Sequence, residues 1–81
     1  MRDNLEAGRF EIEVSGQVVF ADYRRSGDAL FIDHVEAPPA LRGTGAASAL
    51  MEAIVDLARA EKRTIIPVCG YAAAWLRRHA L

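Results

Sequence analysis

Cysteine is almost missing from this chain: Cys69 is the one thiol among 81 residues. An internal disulfide is therefore impossible, and a cysteine-based metal site is disfavoured. No apolar run approaches the roughly 18 residues that a membrane-spanning helix needs. The segment Met1-Arg2-Asp3-Asn4-Leu5-Glu6 has no apolar core of the kind a signal peptide carries. An excess of positive charge is missing too. Ten Lys and Arg stand against 11 Asp and Glu, a net charge of −1, whereas nucleic-acid binders are usually strongly basic. Repeats, low-complexity stretches and linkers are absent. These absences predict one domain over residues 1–81, monomeric, in a reducing cytoplasmic setting, with no metal, nucleic acid or membrane as partner.

What is present is apolar: 52% of the residues, ample for one core layer in so short a chain. Residues 1–8 are polar and are expected to fray. Phe10, Ile12 and Val14 alternate with Glu11 and Glu13, the period of a half-exposed strand. Ser15-Gly16 marks a turn, Gln17–Arg24 a second strand, Ser26-Gly27-Asp28 another turn and Ala29–Val35 a third strand. Turns this tight predict a three-stranded antiparallel meander. The period then changes. From Thr44 to Glu61, Ala47, Leu50, Ile54, Leu57 and Ala58 share a helical stripe, with Thr44 as the expected N-cap. Arg59, Lys62 and Arg63 gather at the helix end, where cations complement the dipole or are simply solvated. Thr64–Cys69 reads as a fourth strand, parallel to the third across this helical crossover, and Tyr71–His79 as a short final helix anchored by Trp75 and Leu76. The fold class is mixed α/β.

The stretch Leu41-Arg42-Gly43-Thr44-Gly45-Ala46-Ala47 carries the strongest chemical signal. Two close glycines permit positive φ and close backbone approach. The following helix start offers unpaired N–H groups and a positive dipole end, and Arg42 adds a forked cationic donor. This suits a phosphate or diphosphate. The other reading is a plain turn: the segment lacks both the Walker pattern and the third glycine of a dinucleotide fingerprint. Pro38-Pro39 and Pro67 interrupt strand pairing, because proline has no N–H to donate. The parallel strands are therefore expected to part near their carboxyl ends, where open α/β sheets take ligands. Cys69 lies between the fourth strand and the final helix, a position that stabilises thiolates, with Gly70 beside it leaving room for a substrate. Buried filler is the other reading. His34 lies near the end of the neighbouring strand, where it can act as a base toward Cys69 or remain a surface histidine, and Asp33 or Glu36 can orient it. Tyr71 can donate a proton, stack on a ligand or pack in the core. Arg77, Arg78 and His79 either reach a ligand phosphate or form a solvated last turn.

Together, two segments resemble a known family. His34 through Ala47 resembles the acetyl-CoA signature of GNAT-type N-acetyltransferases, Arg/Gln-x-x-Gly-x-Gly/Ala, matched by Arg42, Gly45 and Ala47. Ile66-Pro67-Val68-Cys69-Gly70-Tyr71 looks like the small YjdJ-type subgroup, which pairs a His-x-Glu segment with a Pro-x-Cys-x-Tyr segment. The resemblance implies a minimal core without the usual amino-terminal helices and carboxyl-terminal strands. It implies that the backbone of Arg42, Gly43, Thr44, Gly45, Ala46 and Ala47 holds the coenzyme A diphosphate, and that Val35, Glu36 and Ala37 pair with the pantetheine arm. It implies Cys69 and His34 as the reactive pair, with Gly70 and Tyr71 beside the coenzyme, and acetyl transfer to an amine. A non-catalytic acyl-CoA binding or sensing module is the alternative. The family tends to continue with His-Pro, whereas this chain reads His79-Ala80-Leu81.

Overall fold

The structure, a computed structural model, describes residues 1–79; Ala80 and Leu81, where the chain departs from the family's His-Pro ending, lie outside the described residues. Its elements are β1 (Arg2–Asn4), β2 (Arg9–Val14), β3 (Gln17–Ser26), β4 (Ala29–Glu36), a 3₁₀ turn (Pro39–Leu41), α1 (Ala46–Glu61), β5 (Thr64–Pro67) and α2 (Gly70–Arg78). The strands form one sheet in the order β1-β2-β3-β4-β5. The first four are antiparallel, and β5 lies parallel to β4 across α1. The tight turns form because Ser15 and Gly16 (φ 52° and 74°), and Gly27 (φ 56°), take left-handed conformations that match strand twist.

Both helices cover the same face of the sheet. Phe10, Val19, Ala21, Leu30 and Ile32 are fully buried there beneath Leu50, Met51, Ile54 and Trp75. Each large side chain in this layer stabilises the fold by about 1.5–3 kcal/mol through removal from water. The ring of Phe10 stacks on Tyr23 at 4.0 Å between centroids. The buried seam of α1 is Ala46, Leu50, Met51, Ile54, Val55 and Ala58; Ala47 and Leu57 are only half-buried at its margins. The opposite face carries no helix among the described residues. Val18 and Ile66 are exposed on it, while Arg9 lies over Phe20 and Arg24 over Phe31, at 4.4 and 4.5 Å.

The amino terminus departs from expectation. Residues 1–8 do not simply fray: Arg2–Asn4 adds a fourth antiparallel strand, paired Arg2 with Glu11 and Asn4 with Arg9. Tertiary contacts hold it. Asp3 accepts the Tyr23 hydroxyl and pairs with Arg25 (2.9 Å), which in turn reaches Glu61 on α1 (2.8 Å). Smaller differences occur elsewhere. The helix begins at Ala46 with Gly45 as its cap, so Thr44 is not the N-cap; its hydroxyl donates to the Leu41 carbonyl instead (2.5 Å). The last strand stops at Pro67 rather than Cys69, and α2 begins at Gly70.

Candidate functional site

An irregularity in β4 creates the site. Tyr23 pairs with Ile32 but Asp22 pairs with His34, so Asp33 is an extra residue without an opposite number. Such a bulge bends its strand and shifts the alternation by one. Continued alternation from Leu30 and Ile32 would have put His34 and Glu36 under the helices. Instead Val35 shares the covered face with Ala21, and His34 and Glu36 share the uncovered face with Asp22 and Phe20. Arg24 holds the bulge through a forked pair with Asp33 (2.7 and 2.9 Å), and that guanidinium draws the Asp33 carboxyl below its usual range. The His34 Nε2 lies 3.1 Å from Glu36 Oε1.

The two parallel strands then separate. Their register ends with Ile32 opposite Pro67. Pro67 has no N–H, and the Ile32 carbonyl is closed off by the amides of both Val68 and Cys69 (3.0 Å each). Beyond that point the side of β4 that faced β5 has no strand partner, which leaves the backbone around Val35, Glu36 and Ala37 open to a ligand.

The glycine loop lies alongside. The Leu41 side chain is buried, and the turn is tied by bonds from the Leu41 amide to Pro38 and from the Thr44 amide to Leu41 (2.9 and 3.2 Å). Gly43 and Gly45 have φ of 78° and 85°, where a side chain is strained. A Cβ at either would meet open space. The first intrahelical bond of α1 runs from the Ala49 amide to Gly45 (2.9 Å), so the amides of Ala46, Ala47 and Ser48 precede the ladder and point out of the helix start. Arg42 is exposed, with Nε 3.4 Å from the Ala37 carbonyl, and bridges the loop and the β4 edge.

These parts enclose a cavity of about 460 Å³. The β4 end contributes His34, Val35, Glu36 and Ala37. The loop and helix start contribute Leu41, Arg42, Gly43, Gly45, Ala46, Ala47 and Ser48, and α2 contributes Tyr71. The walls are mostly apolar, with amides and a few polar side chains converging at one side, the usual character of a small-molecule site. Thr44, Cys69 and Gly70 are not among the lining residues. Cys69 is half-buried against the core as the cap residue of α2. Tyr71 is raised above the usual phenol range, mainly by burial; the Arg78 charge opposes this, and a charge on Cys69 would add to it. Of Arg77, Arg78 and His79, read from the sequence as phosphate contacts or a solvated last turn, His79 stacks on Trp75 at 4.0 Å and bonds its carbonyl.

Ser48 lines the cavity although it lies one residue beyond the glycine stretch singled out in the sequence, and Leu41 lines it from the first position of that stretch. Ser48 lies within the first turn of the helix, a position that could have been read from the glycine loop. Its role as acceptor for the Trp75 indole (2.7 Å), which ties α2 to the start of α1, has no local signal.

Residues 9–81 match the model of the GCN5-related N-acetyl-transferase family, a family of acetyl-CoA-dependent acetyltransferases. No curated protein matches the sequence. The match spans all the elements from β2 to α2, and the chain therefore belongs to the GCN5-related N-acetyl-transferase family.

Proposed function

We propose that the chain binds acetyl-CoA and transfers its acetyl group to an amine, as a member of the small YjdJ-type subgroup. The observation that supports this most is the continuity of the cavity, which joins free amides at the start of α1 to the unpartnered edge of β4. A long thin ligand with an anionic middle fits that shape. Its diphosphate receives the amides around Gly43–Ala47 and the positive end of α1, and Arg42 adds charge from the rim. The pantetheine arm runs along Val35, Glu36 and Ala37 in place of the missing strand partner.

The thioester then lies near His34 and Tyr71. Glu36 orients the imidazole, which takes a proton from the incoming ammonium group. The amine nitrogen attacks the thioester carbonyl; a C–N bond forms and the C–S bond breaks. Coenzyme A leaves as a thiolate and takes a proton from Tyr71 or Cys69, and that donor is restored by the second proton, which the new amide nitrogen gives up. The lining favours Tyr71 for that role, and a phenol is protonated at neutral pH whether or not its pKa is raised. Cys69 remains the candidate nucleophile of a two-step route through an acetyl-thiol.

Calorimetric titration with acetyl-CoA, followed by measurement of amine-dependent free thiol, tests the proposal. Binding and turnover are expected. Tyr71→Phe should lower kcat by about 10²-fold with unchanged coenzyme affinity, at the lower end of proton-transfer contributions. Cys69→Ala should keep most of the turnover. Loss of turnover in Cys69→Ala, with an acetylated wild-type protein trapped by intact mass, supports the two-step route instead. Binding without turnover over a broad amine panel identifies a sensing module.

A further inference from the structure

The cavity draws residues from both faces of β4. Val35 belongs to the helix-covered face, whereas His34 and Glu36 belong to the uncovered one. A coenzyme lying against the α1 start occupies the covered side. The uncovered face is left to the acceptor, and there His34, which lines the cavity, is directly opposite Asp22 in the β3–β4 register.

The charges there are unevenly matched. Arg9 is also opposite Asp22, from β2, but its Nε bonds Glu11 at 2.6 Å and its guanidinium rests on Phe20. Arg24 is committed to Asp33. Among the described residues Asp22 has no ion-pair partner, and the contact of Glu36 is His34. The imidazole is thus flanked by one carboxylate that orients it and a second, half-buried carboxylate with no ion pair of its own, the Arg9 guanidinium across from it being bonded to Glu11. Phe20 lies beside them, its ring 6.3 Å from that of His34.

We infer that Asp22 is a specificity-determining residue, and that the acceptor is an aliphatic primary amine carrying a second positive charge. In this arrangement the reacting amine meets His34 and the second cation pairs with Asp22, beside the Phe20 ring that Arg9 covers. The inference rests on the acetyl-transfer reading, but its failure is separable from that of the reading.

The probes are cadaverine and n-pentylamine, which share a carbon chain and differ by one ammonium group. With wild-type protein and saturating acetyl-CoA, cadaverine should show a kcat/KM about fivefold higher, the upper range for an exposed ion pair. Asp22→Asn should bring the ratio down to the value set by cadaverine's two equivalent ends alone, chiefly by raising KM for cadaverine. Any effect through the neighbouring imidazole falls on both amines alike and cancels in the ratio, and the calorimetric affinity for acetyl-CoA, measured apart from turnover, reports that the fold is intact. A pair of equal rates in the wild type, or a preference that Asp22→Asn leaves undiminished, overturns the inference while leaving acetyl transfer standing. Absence of coenzyme binding, or binding with no turnover of either amine, overturns both.

Discussion

Gly45→Ala separates what the glycine loop does for the fold from what it does for the ligand. Gly45 has φ 85°, and the added methyl group meets no protein atom within 4 Å. Its cost to stability is therefore conformational: about 1–2 kcal/mol for an L-residue held left-handed. In a domain of this size that lowers Tm by about 4–16 °C. Gly16 supplies the control. It has φ 74° and equally open space, but it lies in the β2–β3 turn, outside the cavity lining. Gly16→Ala should lose comparable stability and no acetyl-CoA affinity. Gly45→Ala should lose both, because the open space at residue 45 is where the diphosphate must approach the amides. Differential scanning calorimetry and calorimetric titration on the two variants provide the comparison. If Gly45→Ala shows the expected loss of Tm but binds acetyl-CoA as well as Gly16→Ala does, the loop is a turn and not a phosphate cradle.

Other perturbations have equally definite outcomes. Arg42→Ala should weaken acetyl-CoA by about 1.5 kcal/mol, the low end for a hydrogen bond to a charged group given how exposed the side chain is; an unchanged Kd removes Arg42 from the site. Trp75→Phe deletes the bond to Ser48 and should cost about 1–3 kcal/mol in urea unfolding; a change below about 0.5 kcal/mol contradicts its role in tying α2 to the site. Acid should also destabilise the protein. Glu11 is held below its ordinary value of 4.5 chiefly by Arg9, Glu61 by Arg25, and Asp33 below 3.8 by Arg24. A lowered carboxyl pKa adds stability that is complete above the ordinary value and is lost as pH falls through the lowered one. Tm should therefore fall below about pH 4.5. A Tm that stays flat from pH 6 to pH 3 contradicts those ion pairs.

Much of the architecture was legible because it is encoded locally. Alternation at Phe10, Ile12 and Val14, the turn residues at Ser15-Gly16 and Ser26-Gly27, and the helical stripe after Gly45 mark elements that the structure contains. The strand β1 was not legible. Arg-Asp-Asn has neither apolar alternation nor strand propensity, and what orders it is an ion-pair chain from Asp3 through Arg25 to Glu61, residues far apart in sequence. That the glycine loop and the end of β4 lie together was readable from the glycines and prolines, but the side of the sheet that His34 occupies was not. That depends on the bulge at Asp33, whose only local mark is the adjacent polar pair Asp33-His34 between Ile32 and Val35, a break as short as the one that ends a strand. The place of Cys69 depends on the same kind of non-local geometry. Its amide is drawn to the Ile32 carbonyl, which turns the chain into α2.

The most direct test of the account is a titration of the nitrogen-labelled protein with acetyl-CoA, followed by amide chemical shifts. The amides of residues 43–48 and of residues 35–37 should move together and saturate at one coenzyme per chain, while those of the β2–β3 turn at Ser15 and Gly16 remain still. Saturating acetyl-CoA that leaves residues 43–48 unmoved, or shifts that gather at another surface, would contradict the claim that the start of α1 and the open edge of β4 form one coenzyme site.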